Sequence, residues 1–122
     1  MSKTILTIDD SRTMRDMLRL ALTAAGHSVI QADDGVNGLA ALAAAGQVDV
    51  IITDINMPRM DGYGFIEHVR QGNSNRVTPI LVLTTESEPA RKLRARQAGA
   101  TGWIVKPFDP GKLLAAIHRV SP

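Results

Sequence analysis

The chain contains no cysteine among its 122 residues, which excludes a disulfide framework and a thiolate metal site. Aromatic residues make up only 3% of it against 44% hydrophobic residues, so an aliphatic, alanine-rich core is predicted. No apolar run approaches the roughly 20 residues that cross a bilayer. Met1-Ser2-Lys3 leads straight into a strand-length run rather than a signal-peptide core. The net charge is +2, far from the clustered basic stripe of a dedicated nucleic-acid binder. These absences predict a cytoplasmic protein that engages neither membrane nor nucleic acid. Glycine and proline are scattered as punctuation, so no linker or low-complexity tract is visible. The length suits one domain over residues 1–122 with no output domain.

What is present alternates. Short apolar, β-branched runs occur at Thr4–Ile8, His27–Ala32, Val48–Thr53, Ile80–Leu83 and Gly102–Val105. Helical spacings lie between them. Met14, Met17, Leu18, Ala21, Leu22 and Ala25 fall three and four apart, on one helix face, with Gly26 as a stop. A second helix opens at Asp33-Asp34-Gly35, carries Val36, Leu39, Ala40, Leu42 and Ala43, and stops near Gly46. Asp61 is a good N-cap for a third with Phe65, Ile66 and Val69, ended by Gly72. Ser87-Glu88-Pro89 starts a fourth that Gly99 ends, and Asp109-Pro110 starts a fifth with Leu113, Leu114, Ile117 and Val120. Five βα units imply an α/β fold with a parallel sheet, right-handed crossovers and helices on both faces.

Chemistry-bearing residues collect where the strand runs end. Asp9 and Asp10 follow the first, Asp54 the third, Thr84-Thr85 the fourth and Lys106 the fifth. Open α/β sheets bind ligands beyond the carboxyl ends of their strands. Each residue alone has a plainer explanation. Asp9-Asp10 could cap the next helix, Thr84 could simply end a strand, Asp54 could form an Asx-turn, and Lys106 could be a solvated cation. Their joint placement at ends of different strands is what a structural role does not require. A carboxylate can attack phosphorus and form an acyl phosphate. Three clustered carboxylates repel one another, which favours a bound cation such as Mg²⁺, or Mn²⁺ in its place. Asp10 and Asp54 are expected as direct ligands, Asp9 through water, and the Asn56 backbone carbonyl as a further ligand. Lys106 can reach a phosphoryl oxygen, Thr84 offers a hydroxyl, and backbone N–H groups near Asn56 and Thr85 could cradle an anion.

With Asp9-Asp10-Ser11, Asp54-Ile55-Asn56-Met57-Pro58, Met60-Asp61-Gly62, Thr84-Thr85 and Lys106-Pro107-Phe108 in place, the chain resembles a response-regulator receiver domain of two-component signalling. The likeness spans essentially the whole chain and is to single-domain chemotaxis regulators of the CheY type. It implies a flavodoxin-like, doubly wound five-stranded sheet of order 2-1-3-4-5. It also implies Asp54 as phosphoacceptor, Asp9 and Asp10 as metal-site acids, Thr84 as switch hydroxyl and Lys106 as phosphate-sensing amine. Lys106-Pro107 is expected to be cis. Trp103 takes the place of the switch aromatic. It either rotates inward, hindered by its bulk, or stays as a static strand residue with its N–H in water. Asn56 and Glu86 would border the path of an attacking water and tune self-dephosphorylation, although Glu86 is expected as an exposed loop acid.

The implied partners are a histidine kinase or histidine phosphotransfer protein and a downstream target such as the flagellar motor switch, met by a monomer. A phosphate sink for a shared kinase is the alternative role. Met14, Met17 and Leu18 could include a contact for the phosphodonor. Arg91, Lys92, Arg94 and Arg96 form a basic run that would steer an acidic partner. His27, His68 and His118 lack metal-ligand spacing and are read as neither ligands nor phosphodonors. A metal-dependent phosphatase is disfavoured because Asn56 stands where a second Asp is wanted and no cap domain fits. A flavin carrier is disfavoured because Asp9-Asp10 would repel its phosphate. A DNA-binding regulator needs an output domain. The acyl phosphate would be formed and hydrolysed by the protein itself, without turnover as an enzyme.

Overall fold

A computed structural model describes residues 2–122. Five strands, β1 (Thr4–Ile8), β2 (Ser28–Ala32), β3 (Val50–Thr53), β4 (Ile80–Thr84) and β5 (Gly102–Val105), alternate with five helices. These are α1 (Arg12–Ala24), α2 (Gly35–Ala45), α3 (Gly62–Gln71), α4 (Pro89–Ala98) and α5 (Pro110–Val120). The sheet runs β2-β1-β3-β4-β5 and every pairing is parallel. Among the described residues no helix is long and apolar enough to cross a membrane.

Strand alternation divides the core in two. Leu6, Ile8, Ile51, Ile80 and Val82 face α2, α3 and α4, where Leu42, Phe65, Ile66, Val69 and Ala95 cover them. Ile5, Val50, Ile52, Leu81 and Leu83 face α1 and α5, under Leu18, Leu22, Leu113 and Ile117. The core is aliphatic as expected but not alanine-rich: Ala32 and Ala95 are its only buried alanines among the described residues. Ala40 and Ala43 are exposed, and α2 instead lays Gly35, Gly38 and Leu42 on the sheet. A Cβ at Gly38 would stand 2.7 Å from Ile8 Cδ1, so glycine sets how closely this helix approaches.

Most helix ends fall as the sequence predicts, with instructive exceptions. Asp61 and Asp109 accept from the N–H groups of Gly64 and Lys112. Gly26 and Gly99 take φ of +91° and +119°. The cap of α1 is Ser11, which accepts from Met14 N, so neither Asp9 nor Asp10 is needed there. Ala25 lies past the end of α1 and Met17 stays half-exposed. The β3 ladder starts at Val50: the Asp49 N–H still reaches the Thr4 carbonyl, but the Thr4 N–H goes to the Asp49 carboxylate instead of a strand carbonyl. Glu88 precedes Pro89 at the start of α4 without a side-chain cap.

The amino-end rim of the sheet is closed by side chains bonding to backbone. Buried Asn75, at φ +59°, accepts from Val48 N at 2.8 Å and the Thr78 hydroxyl at 3.1 Å, and donates to the Gly46 carbonyl at 2.7 Å. Arg70 donates to the carbonyls of Gly99, Arg76 and Thr78 at 2.8–3.0 Å.

Candidate functional site

At the opposite rim, the register sets the acidic residues side by side. Ile8 pairs with Thr53, so Asp9 and Asp54 leave adjacent strands together. Thr84 pairs with Val105, which carries Lys106 to the same edge. One carboxylate oxygen from each of Asp9, Asp10 and Asp54 lies within 4.8 Å of the others. Lys106 Nζ sits 2.7 Å from Asp9 Oδ2 and 2.7 Å from Asp54 Oδ2, through a cis Lys106-Pro107 peptide. The remaining oxygens are also engaged. Asp54 Oδ1 accepts from Ile55 N at 2.6 Å, and Asp9 Oδ1 from Ser11 N at 2.9 Å.

Burial pushes the Asp9 carboxyl above its ordinary range, and neither the Lys106 hydrogen bond nor the Ser11 N–H cancels that. Burial also works against the Lys106 ammonium, but its bonds to Asp54 and Asp9 outweigh this and hold its pKa above the usual value. One ammonium therefore bonds two of the three clustered carboxylates, and the cluster is short of positive charge. A set made only of carboxylate oxygens suits a hard divalent cation.

The other expected residues fall around this centre in different ways. Thr84 is buried, and its hydroxyl accepts from Glu86 N at 3.4 Å. Thr85 and the Asn56 side chain are exposed at the rim. Glu86 is not the free, exposed acid the sequence suggests. Its side chain is 26% exposed, with Oε1 3.2 Å from Asn56 Nδ2 and Oε2 3.4 Å from Arg91 Nε. The Trp103 N–H does not sit in water either: half-buried Trp103 donates it to the Glu86 carbonyl at 3.0 Å. The basic run of α4 is partly spent. Arg91 pairs with Glu86, and Arg94 lies 4.0 Å over the Tyr63 ring. Lys92 and Arg96 remain beside a groove of about 350 Å³ floored by Leu93, Ala100 and Trp103. His27 Nδ1 accepts from Lys3 N and His68 Nδ1 faces the Gly64 carbonyl.

Two features beside the site carry no sequence signal. Arg15 donates to the Asp9 carbonyl at 2.8 Å. Arg59, at φ +64°, grips Asp34 through Nε at 2.6 Å and Nη2 at 3.2 Å. This clip fastens the loop after Asp54 to the start of α2, where Asp34 also caps Asn37 N. Arg59 holds the Asp34 carboxyl below its ordinary range. A depressed folded value stabilises the fold above the unfolded pKa of about 3.9 and loses that stabilisation as pH falls through the folded value. Asp34→Asn is therefore expected to melt below wild type at pH 7, with the gap closing in acid below about pH 3.9. A gap independent of pH in thermal melts would show that the charge contributes nothing.

Comparison with known proteins agrees with this arrangement. The family model described as "Response regulator receiver domain" matches residues 5–118. The chain belongs to the response-regulator receiver family. Similar proteins include the chemotaxis protein CheY1 of Helicobacter pylori (strain J99), 39% identical over 95% of this chain and 94% of that protein. The solved receiver structure of the Vibrio cholerae chemotaxis response regulator CheY4 is 44% identical and superposes with a TM-score of 0.90, covering 98% of this chain and 99% of that one. The receiver domain of a sensor histidine kinase from Pseudomonas aeruginosa PAO1 is 25% identical with a TM-score of 0.89, covering 98% of each chain. It was solved with a magnesium ion coordinated in its active-site cleft. The present chain is a phosphoacceptor receiver with the CheY fold, and its acidic pocket fits Mg²⁺.

Proposed function

We propose that Asp54 is the phosphoacceptor of this receiver and that Asp9, Asp10 and Asp54, with the Asn56 carbonyl, hold a divalent cation beside it. The observation that carries this reading is the single Lys106 ammonium shared at 2.7 Å between Asp9 and Asp54. That ammonium is already aimed at the atom to be modified. An Asp54 carboxylate oxygen attacks the phosphorus of a phosphohistidine, the phosphorus–nitrogen bond breaks, and the electron pair returns to the imidazole. Bound Mg²⁺ supplies charge neutralisation for the meeting anions. Lys106 takes a phosphoryl oxygen in exchange for its carboxylate contact, and Thr84 offers its hydroxyl from the end of β4. The Asn56 and Thr85 N–H groups would complete the cradle. A histidine kinase or phosphotransfer protein donates the group. Likeness to chemotaxis proteins favours a motor-switch target over a phosphate sink, and the groove between α4 and β5, edged by Lys92 and Arg96, would take an acidic segment of it. Trp103 would read out the change, its N–H moving when Thr84 moves.

The test is intact mass after incubation with Mg²⁺ and acetyl phosphate. Gain of one base-labile phosphoryl group is expected, and none, even with rapid quenching, removes the reading. A cation that binds only the folded state stabilises it by mass action. Saturating Mg²⁺ at about 100 times its Kd should add about 2.7 kcal/mol, which for a domain this size raises the Tm by roughly 10 °C. Asp10→Ala should lose most of that rise. An undiminished rise in the variant would remove Asp10 from the ligand set.

A further inference from the structure

Glu86 is a junction. Its backbone N–H goes to the Thr84 hydroxyl at 3.4 Å and its carbonyl takes the Trp103 N–H at 3.0 Å. Its carboxylate spans the gap between two loops at the mouth of the site. One oxygen takes the Asn56 amide from the loop after β3, and the other takes Arg91 from the first turn of α4. A Glu with no anchor on α4 would swing freely, since a long side chain loses much rotamer entropy when fixed. Asn56 supplies a neutral bond, and Arg91 the only ion pair that Glu86 makes among the described residues. The start of α4 has no side-chain cap, so the same contact also fixes where this turn sits. Glu88, 3.9 Å from Arg91 Nε, is the weaker competitor.

With Asp54 as the phosphoacceptor, we propose that Arg91 is a positioning residue that sets the lifetime of the phosphorylated protein. It holds the Glu86 carboxylate across to Asn56 as a bar over the path of attacking water. In hydrolysis the water oxygen bonds to phosphorus and the phosphorus–oxygen bond to Asp54 breaks. The products are the Asp54 carboxylate and inorganic phosphate, which keeps one of the water's protons while the other passes to phosphate or solvent. A bar held at both ends keeps water out, and a bar released from Arg91 admits it.

The measurement is the decay of the phosphorylated protein after removal of acetyl phosphate, for wild type, Arg91→Ala, Arg91→Lys, Glu86→Ala and the double alanine variant. Alanine is the best helix former, so the substitution leaves α4 intact. Breaking a half-exposed ion pair should speed decay about threefold in Arg91→Ala. Arg91→Lys should restore most of the lifetime, and adding Arg91→Ala to Glu86→Ala should change nothing further. Arg91 is 42% exposed, so salt screens the pair. Wild-type decay should therefore quicken with added salt more than that of Arg91→Ala. Decay unchanged or slowed in Arg91→Ala, no rescue by lysine, or the full effect persisting without Glu86 each overturns the proposal. If wild type takes up no phosphoryl group at all, the assignment of Asp54 fails and this inference falls with it.

Discussion

Asp54→Asn is expected to take up no phosphoryl group from acetyl phosphate under conditions that label the wild type fully. The amide keeps the shape and the carbonyl that accepts from Ile55 N, so the fold survives. It lacks the negative oxygen proposed to attack phosphorus. It also gives up the charge facing Lys106 Nζ at 2.7 Å, while Asp9 still holds that ammonium from the other side. The variant therefore separates chemistry from architecture. Its circular dichroism should match the wild type while its intact mass stays fixed through the incubation. Labelling that persists in the variant would move the phosphoryl group to another side chain, and peptide mapping would find it.

The second large effect is on stability and comes from Gly62. Its N–H donates to the Ile55 carbonyl at 2.8 Å, which presses the start of α3 onto the end of β3. A Cβ here would fall on the Asp54 carbonyl oxygen, closer than real Cβ contacts come, and 2.9 Å from Ile55 Cα. Both obstacles are backbone and neither can rotate away. Gly62→Ala should cost about 3 kcal/mol, the upper part of the usual overpacking range. For a domain of this size that is a fall in Tm of roughly 10 °C. The displaced segment carries Asp54, so the Mg²⁺-induced rise should shrink as well. Gly64→Ala is the internal control, two residues along the same helix. Its Cβ would meet only Met60 Cγ at 3.4 Å and Asp61 Oδ1 at 3.5 Å, and helix propensity favours Ala over Gly by up to about 1 kcal/mol. Differential scanning calorimetry of the pair decides the matter. Equal melting temperatures would show that α3 can slide away from Asp54.

The acidic residues were legible because strand ends are legible. An apolar run that stops at Asp9-Asp10, another at Asp54 and a third at Lys106 declare their own positions, and a parallel sheet forces those positions onto one edge. The strand order was not readable from periodicity and came from resemblance. Contacts between loops left no trace in the sequence. Arg59 meets Asp34 from 25 residues away and needs a left-handed backbone to do so, which neither residue type announces. Nothing in the sequence marks Asn75, which is a buried hub only because its own loop, through Thr78, meets the Gly46–Val48 segment there. The structure overturns the exposed reading of Glu86, and with it the wet N–H in one of the two readings of Trp103. Exposure was inferred from residue type and loop position, whereas Asn56 and Arg91 arrive from two other elements to cover Glu86. Burial of a loop acid is decided by its neighbours in space, and spacing along the chain does not list them.

The two rims of the sheet answer to different solvents. Asn75 and Arg70 close the amino end through hydrogen bonds to backbone and a hydroxyl, with no ion pair among them. Asp9, Asp54, Lys106, Glu86 and Arg91 hold the other end through charge. Ionic strength acts on the half-exposed Glu86–Arg91 pair of the second set, far less on its buried Lys106 pairs, and passes over the first set. Salt is thus a dial on the working end alone, able to loosen the signalling edge of the molecule while its base stays fastened.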